Sequence, residues 1–270
     1  MVICMKRKIA FFDIDGTLTS ETDGSIPERA VEGIRRAREN GHFMFINTGR
    51  CFHNVEMRFR EIGFDGYVCG CGLNIYCDGQ ELLHVPMARS VKEEILAQAR
   101  LTGVEILFES RTGVAYDLIR PLQSEGAIRQ YQCFVDRGYD LSIDPGQPDF
   151  VADKFVIWFH EPEQLKQFRK VSDNYFTCID RGGYFREFVP YGYSKATGLQ
   201  FVLDYYGLSA EDAYGFGDSN NDLAMLEYLR NSVVMGSTAP KELLACASFV
   251  TEPASRNGLY HALEQLGFLG

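Results

Sequence analysis

The apolar runs of this chain are interrupted by polar residues at regular intervals, and the runs alternate in kind. Within Lys8–Phe12, four consecutive apolar residues end abruptly at Asp13, as expected of a strand buried on both faces. Pro27–Asn40 repeats Ala30, Val31, Ile34 and Ala37 along one helical face, and Gly41 stops it. His42–Ile46 reads as a second strand, Phe52–Ile62 as a helix halted at Gly63, and Tyr67–Cys69 as a third strand. This β-α-β-α-β order predicts a parallel sheet with helices on its faces.

The middle of the chain has a different rhythm. A helix over Ser90–Leu101 precedes a hairpin of Val104–Phe108 and Val114–Ile119, turned at Ser110-Arg111-Thr112-Gly113. Residues 138–152 have loop composition, rich in Asp, Pro and Gly. A strand at Phe155–Phe159, a helix at Glu161–Val171 and strands at Tyr175–Ile179 and Tyr184–Val189 follow. Hairpins with helices predict an α+β domain inserted into the α/β host. From Ser194 the host pattern resumes. Helices at Ser194–Tyr206, Asn220–Leu229, 239–246 and Leu259–Leu266 alternate with strands at Ala213–Phe216, Ser232–Met235 and Ser248–Val250. The fold class is therefore α/β: a Rossmann-like parallel-sheet core over residues 1–83 and 185–270, and an inserted α+β cap over residues 84–184. Hinges are expected near residues 82–86 and 188–193, where Pro86, Pro190 and Gly192 punctuate the crossings.

A length of 270 residues suits one large domain plus a smaller one. Lys and Arg total 27 against 37 Asp and Glu, a net charge of −10, which argues against general binding of DNA or RNA. The basic N-terminal cluster is followed by an apolar run too short for a secretory leader, and no run approaches the ~18 apolar residues of a membrane span. The expectation is a cytoplasmic protein with no membrane or nucleic-acid partner, as a monomer or homodimer. Its eight cysteines, Cys4 among them, then read as reduced thiols. Cys69-x-Cys71 with Cys77 lacks zinc spacing, and His42, His53, His84, His160 and His261 show none either.

Ligands of open α/β sheets collect at the carboxyl ends of the strands. Four polar groups fall there: Asp13-x-Asp15-Gly16-Thr17, Thr48-Gly49-Arg50, Lys195, and Asp218-Ser219-Asn220-Asn221-Asp222. Taken singly each has a plain reading. Asp-Gly is a common turn, and Asp218 and Asp222 suit a helix N-terminus without any function. Lys195 is different, because the positive end of a helix disfavours a cation unless an anion lies beside it. Gathered in one crevice, the acids repel unless a cation intervenes. Oxygen-only ligands favour a hard ion, and Mg2+ is the usual one beside phosphate. Thr48, Lys195 and Asn221 add hydrogen-bond donors. This inventory suits phosphoryl transfer, in which positioning and charge neutralisation do most of the work.

Four separated motifs, in order, resemble the haloacid dehalogenase (HAD) superfamily, and within it the Cof-like phosphatases with a class IIB cap. They are Phe12-Asp13-Ile14-Asp15-Gly16-Thr17-Leu18, Asn47-Thr48-Gly49-Arg50, Ser194-Lys195 and Gly217-Asp218-Ser219-Asn220-Asn221-Asp222. The resemblance spans essentially the whole chain and implies roles. Asp13 is expected as nucleophile and metal ligand, and Asp15 as general acid/base whose backbone carbonyl also reaches the metal. Thr48, Gly49, Lys195 and Asn221 would bind the phosphoryl group. Asp218 would be the further carboxylate ligand of Mg2+, with Asp222 orienting metal-bound water or Lys195. Two segments depart from the family pattern: Cys71-Gly72-Leu73 stands where Asn-Gly-Ala is frequent, and Gly236-Ser237-Thr238-Ala239 where Gly-Asn-Ala is frequent. The implied activity is Mg2+-dependent hydrolysis of a small phosphate monoester, with cap closure over the site. A phosphomutase or other phosphotransferase and a non-catalytic phosphometabolite sensor share the same motifs.

Overall fold

The computed structural model describes residues 7–236 and 239–270. Cys4 and Lys6, and the departure at Ser237-Thr238, lie outside the described residues. The chain forms two units. The first comprises the chain up to Arg50, Val55–Leu83 and Tyr193–Gly270; the second comprises Cys51–Asn54 and His84–Gly192.

The first unit opens with β1 (Ile9–Phe12), α1 (Glu28–Glu39), β2 (Phe43–Asn47), α2 (Met57–Arg60) and β3 (Gly66–Cys69), then the hairpin β4 (Asn74–Cys77) and β5 (Gln80–His84). The second unit contains α3 (Arg89–Thr102), β6 (Glu105–Ser110), β7 (Gly113–Tyr116), α4 (Glu125–Asp136), β8 (Lys154–Trp158), α5 (Pro162–Ser172), β9 (Phe176–Asp180) and β10 (Phe185–Pro190). The chain then returns to the first unit through α6 (Lys195–Tyr206), β11 (Ala213–Gly217), α7 (Leu223–Tyr228), β12 (Asn231–Met235), α8 (Lys241–Cys246), β13 (Phe249–Thr251) and α9 (Gly258–Gln265).

Among the described residues the first unit holds an eight-stranded sheet in the order β13-β12-β11-β1-β2-β3-β4-β5. Strands β13 to β3 run parallel, and β4 turns antiparallel to β3. β1 lies between β11 and β2, so all four of its residues are buried and none needs to be polar. Phe11, Phe45 and Val68 from adjacent strands pack with Leu199, Val202 and Leu203 of α6. This packing fixes the carboxyl ends of β1, β2 and β11 side by side.

The second unit has a five-stranded antiparallel sheet, β7-β6-β8-β10-β9. Side chains alternate across it, giving two separate cores. On one face Phe108, Phe155 and Phe188 form a cross-strand aromatic row packed with Ile95 of α3 and Phe168 of α5. The Phe155 and Phe188 rings stack with centroids 4.8 Å apart. On the other face Tyr116, Val156 and Trp158 pack with Ala127 and Phe134 of α4.

Three boundaries differ from the sequence reading. Phe185–Pro190 pairs with both β8 and β9, so the second crossing falls after Gly192 and not at 184/185. The helix expected over 52–62 is a short turn at Phe52–Asn54 followed by α2, because Glu56 has extended backbone and its carboxylate is held by Arg50 and Arg58. The helix expected from Asn220 begins as a tight turn at Asn220–Asp222, where the Asp222 carboxylate bonds back to the backbone.

Candidate active site

Asp13 is the first residue beyond β1, and its N–H donates to the Phe216 carbonyl of the neighbouring β11 at 3.0 Å. Its side chain is therefore delivered to the carboxyl edge of the sheet, where it is 3% exposed. Lys195 is the first residue of α6, capped by Ser194 through the Thr197 N–H. The buried Lys195 Nζ donates to Asp13 Oδ1 at 2.5 Å and to Asp222 Oδ1 at 2.6 Å. Burial works against the ammonium, but these two carboxylates outweigh it and hold its pKa above the ordinary lysine value.

Asp222 is anchored at both oxygens. Its Oδ2 accepts from the N–H groups of Asp218 and Ser219, each at 3.0 Å. Asp218 is more open: Oδ1 accepts from Thr17 Oγ1 at 3.3 Å. Gly16 permits this approach, since it has φ +79° and a Cβ there would collide with the Asp218 carboxylate. Oxygens of Asp13, Asp218 and Asp222 lie within 4.8 Å of one another.

Three carboxylates facing one ammonium leave a formal charge of −2 in a buried site. Burial first, then the neighbouring acids, raise the pKa of Asp13 despite Lys195, and raise that of Asp218 still more. Among the described residues no donor reaches Asp13 Oδ2 or Asp218 Oδ2. Two unsaturated carboxylate oxygens and an excess of two negative charges fit a hard divalent cation.

Asp15 stands apart from this cluster. Its carboxylate, 57% exposed, receives Arg50 Nε at 2.9 Å and Arg50 Nη2 at 2.5 Å, while Arg50 Nη1 reaches Glu56 at 3.0 Å. Burial disfavours the Arg50 charge, but Asp15 and Glu56 prevail and raise its pKa. Spacing in the sequence places Arg50 beside Thr48 but cannot reveal that it grips residue 15. Thr48 is buried beyond β2, with its N–H on the Val68 carbonyl at 2.8 Å and its Oγ1 accepting from the Arg50 N–H at 3.1 Å. That leaves the hydroxyl proton to donate. Gly49 completes the same turn. The Cys71 N–H donates to the Thr48 carbonyl at 3.0 Å, so the segment that departs from the family pattern braces the Thr48 turn. Asn221 is buried, and its Oδ1 is engaged by Ser219 Oγ at 2.9 Å, which directs its amide NH2 to other acceptors.

No helix among the described residues is long and apolar enough to cross a membrane. A family model described as haloacid dehalogenase-like hydrolase matches residues 10–263. YkrA of Bacillus subtilis is 28% identical over 268 residues, covering 98% of this chain and 100% of that one. The 5-amino-6-(5-phospho-D-ribitylamino)uracil phosphatase YitU of Bacillus subtilis is 25% identical over 246 residues, covering 86% and 87%. Among solved structures, the HAD subclass IIB sugar phosphatase BT4131 superposes with a TM-score of 0.82 at 22% identity, covering 97% of this chain and 99% of that chain. With motif order, sheet topology and family match in agreement, the chain belongs to the haloacid dehalogenase-like hydrolases, as a phosphatase of the Cof-like branch.

Proposed function

We propose that this phosphatase hydrolyses small phosphate monoesters with Mg2+, through an aspartyl-phosphate on Asp13. The observation that carries this reading is the pairing of Asp13 Oδ1 with buried Lys195 while Oδ2 has no donor among the described residues. One oxygen is held and the other is left to attack. Asp13 Oδ2 forms the bond to phosphorus as the bond to the leaving oxygen breaks. Asp15 gives that oxygen its proton. Water then attacks phosphorus, Asp15 takes up a proton from it, and the acyl-phosphate P–O bond breaks to restore Asp13. Lys195 offsets charge on the phosphoryl group, and Thr48, Gly49 and Asn221 donate to its oxygens. Asp13, Asp218 and the Asp15 carbonyl would hold Mg2+, which supplies further positive charge against the phosphoryl oxygens.

A metabolite monoester is the substrate class, and the ribityl phosphate in YitU's name supports a small polyol phosphate. Such a substrate also suits a cytoplasmic enzyme. The test is inorganic phosphate release across a panel of sugar, polyol and nucleoside monophosphates, with Mg2+ and with EDTA. Hydrolysis of some member only with Mg2+ supports the reading. Transfer to a second hydroxyl without phosphate release would make the chain a phosphotransferase instead.

Two further outcomes are expected. Mg2+ at about 100 times its Kd stabilises the fold by about 2.7 kcal/mol. Asp218→Asn relieves repulsion, so without metal it unfolds at a higher Tm than the parent, by about 2–4 °C per kcal/mol relieved. The same variant loses the Mg2+-dependent rise in Tm and most turnover. Thermal melts with and without Mg2+ check this; a full Mg2+ response in Asp218→Asn would remove that residue from the metal site. Arg50→Gln frees Asp15 from its fork. It is expected to lower kcat about tenfold or more, a part of the ~10²–10⁴ that a general acid contributes. Unchanged kcat would show that the fork has no part in positioning Asp15.

A further inference from the structure

Asn47 opens the motif Asn47-Thr48-Gly49-Arg50, and the reaction above gives it no part. It closes β2, where alternation puts its side chain on the same face as Phe45, towards α6. The residue is fully buried. Its Nδ2 donates to the Lys195 carbonyl at 3.0 Å and to Met225 Sδ, a weaker acceptor, at 3.3 Å. A carbonyl can only accept, so the NH2 end of the amide must face it and Oδ1 is turned away. Oδ1 meets no donor among the described residues.

That arrangement is a poor one for stability alone. A buried acceptor left without a partner costs more than an ordinary hydrogen bond returns. Nor does the Lys195 carbonyl need the bond, since a carbonyl in the first turn of α6 has a helical N–H to accept from. The amide instead ties separate elements together. Lys195 starts α6, and Met225 lies on α7, one turn beyond Asp222. Ile46 pairs with Phe12, so Asn47 and Asp13 end neighbouring strands side by side. The Asn47 NH2 therefore joins this sheet edge to the element that carries Lys195 and to the one that follows Asp222. On its other side the first turn of α6 has no slack. A Cβ at Gly198 would collide with Val68 and Gly72, and one at Gly72 with the Ser194 carbonyl.

We propose that Asn47 is a positioning residue: it fixes the starts of α6 and α7 so that the Lys195 ammonium stays between Asp13 and Asp222. Its hydrogen bonds go to a backbone carbonyl and a thioether, so it acts through Lys195 and not on phosphorus. The kinetic part of this role rests on the reaction proposed for Asp13; the placement of Lys195 does not.

Asn47→Leu removes the donor and the orphaned acceptor together at similar volume, so Tm should hold or rise. Even so, kcat should fall about fivefold or more, towards the ~10²-fold that a small misplacement can cost. The ratio kcat/KM should fall with it, as when an interaction realised in the transition state weakens. In the Lys195→Met background the same change should cost nothing further, because no ammonium remains to be placed. Placement is read without turnover, by NMR of protein labelled at lysine nitrogen. The Lys195 ammonium, buried between two carboxylates, gives a slowly exchanging resonance identified by its loss in Lys195→Met or Lys195→Arg. Asn47→Leu should shift it and leave unmoved that of Lys154, which is buried with Glu109 and Glu187 in the second unit. An unmoved Lys195 resonance, an unchanged kcat beside measurable phosphate release, a rise in KM alone, or an equal loss in the Lys195→Met background would each overturn the proposal. A shifted resonance without hydrolysis of any monoester would support the placement and overturn the reaction instead.

Discussion

Asp13→Asn is expected to lower phosphate release by at least about 10³-fold, while the protein remains folded. Losing a nucleophile that acts as part of a unit can cost as much as ~10⁶. The amide is nearly isosteric with the carboxylate and still offers Lys195 an acceptor, but it cannot form an acyl-phosphate. The structural cost is small for a specific reason: Lys195 keeps its second partner, Asp222, at 2.6 Å. Removing one of three crowded carboxylates also lessens repulsion on Asp218. The melting temperature should therefore stay within a few degrees of the parent. Steady-state phosphate release, with intact-mass measurement of a quenched reaction for covalent phosphate, checks both halves. Release near the parent rate, or a phosphorylated Asp13→Asn enzyme, would move the nucleophile elsewhere.

The convergence of Asp13, Lys195, Asp218 and Asp222 was legible because each lies at a strand end or helix start in a parallel sheet. β1 and β11 are hydrogen-bonded neighbours, so residues just past both must meet at one edge. Continuous apolar runs such as Ile9–Phe12 made those strands visible. Elements with thin patterns were not visible. α4 buries only Ala127 and Phe134 among its twelve residues and carries Gly126 in its first turn, so it gives little helical periodicity. The β4–β5 hairpin went unread because Gln80–His84 has no fully buried residue and follows a turn in which Asp78 has positive φ. The expected boundary at 184/185 falls beside the Gly182-Gly183 turn, and a hairpin turn joins two strands of one sheet, so it cannot mark a crossing. Contacts set by tertiary structure alone, such as Arg50 on Asp15 and Asn47 on the Lys195 carbonyl, leave no trace in spacing.

Lys195→Met should have the largest effect on stability, and its sign depends on what it leaves behind. Replacing a whole buried ion pair by apolar groups is often neutral or better, because desolvation offsets the attraction. Here only the cation leaves. Asp13 and Asp222 lose their shared donor, and the formal charge of the cluster goes from −2 to −3 inside a site from which water is largely excluded. Breaking such a pair from one side costs about 3–5 kcal/mol, far above the 0.3–1 kcal/mol recovered by removing a cation from a helix N-terminus. The loss should appear as a Tm drop of roughly 6–20 °C. Turnover should fall at least ~10²-fold, as when one preorganised electrostatic donor is removed. The double variant Lys195→Met/Asp222→Asn separates unpaired charge from lost packing. If stranded carboxylates cause the damage, the double variant melts above Lys195→Met alone. Should the two losses simply add, buried charge is not what Lys195 balances, and the electrostatic account of this site fails.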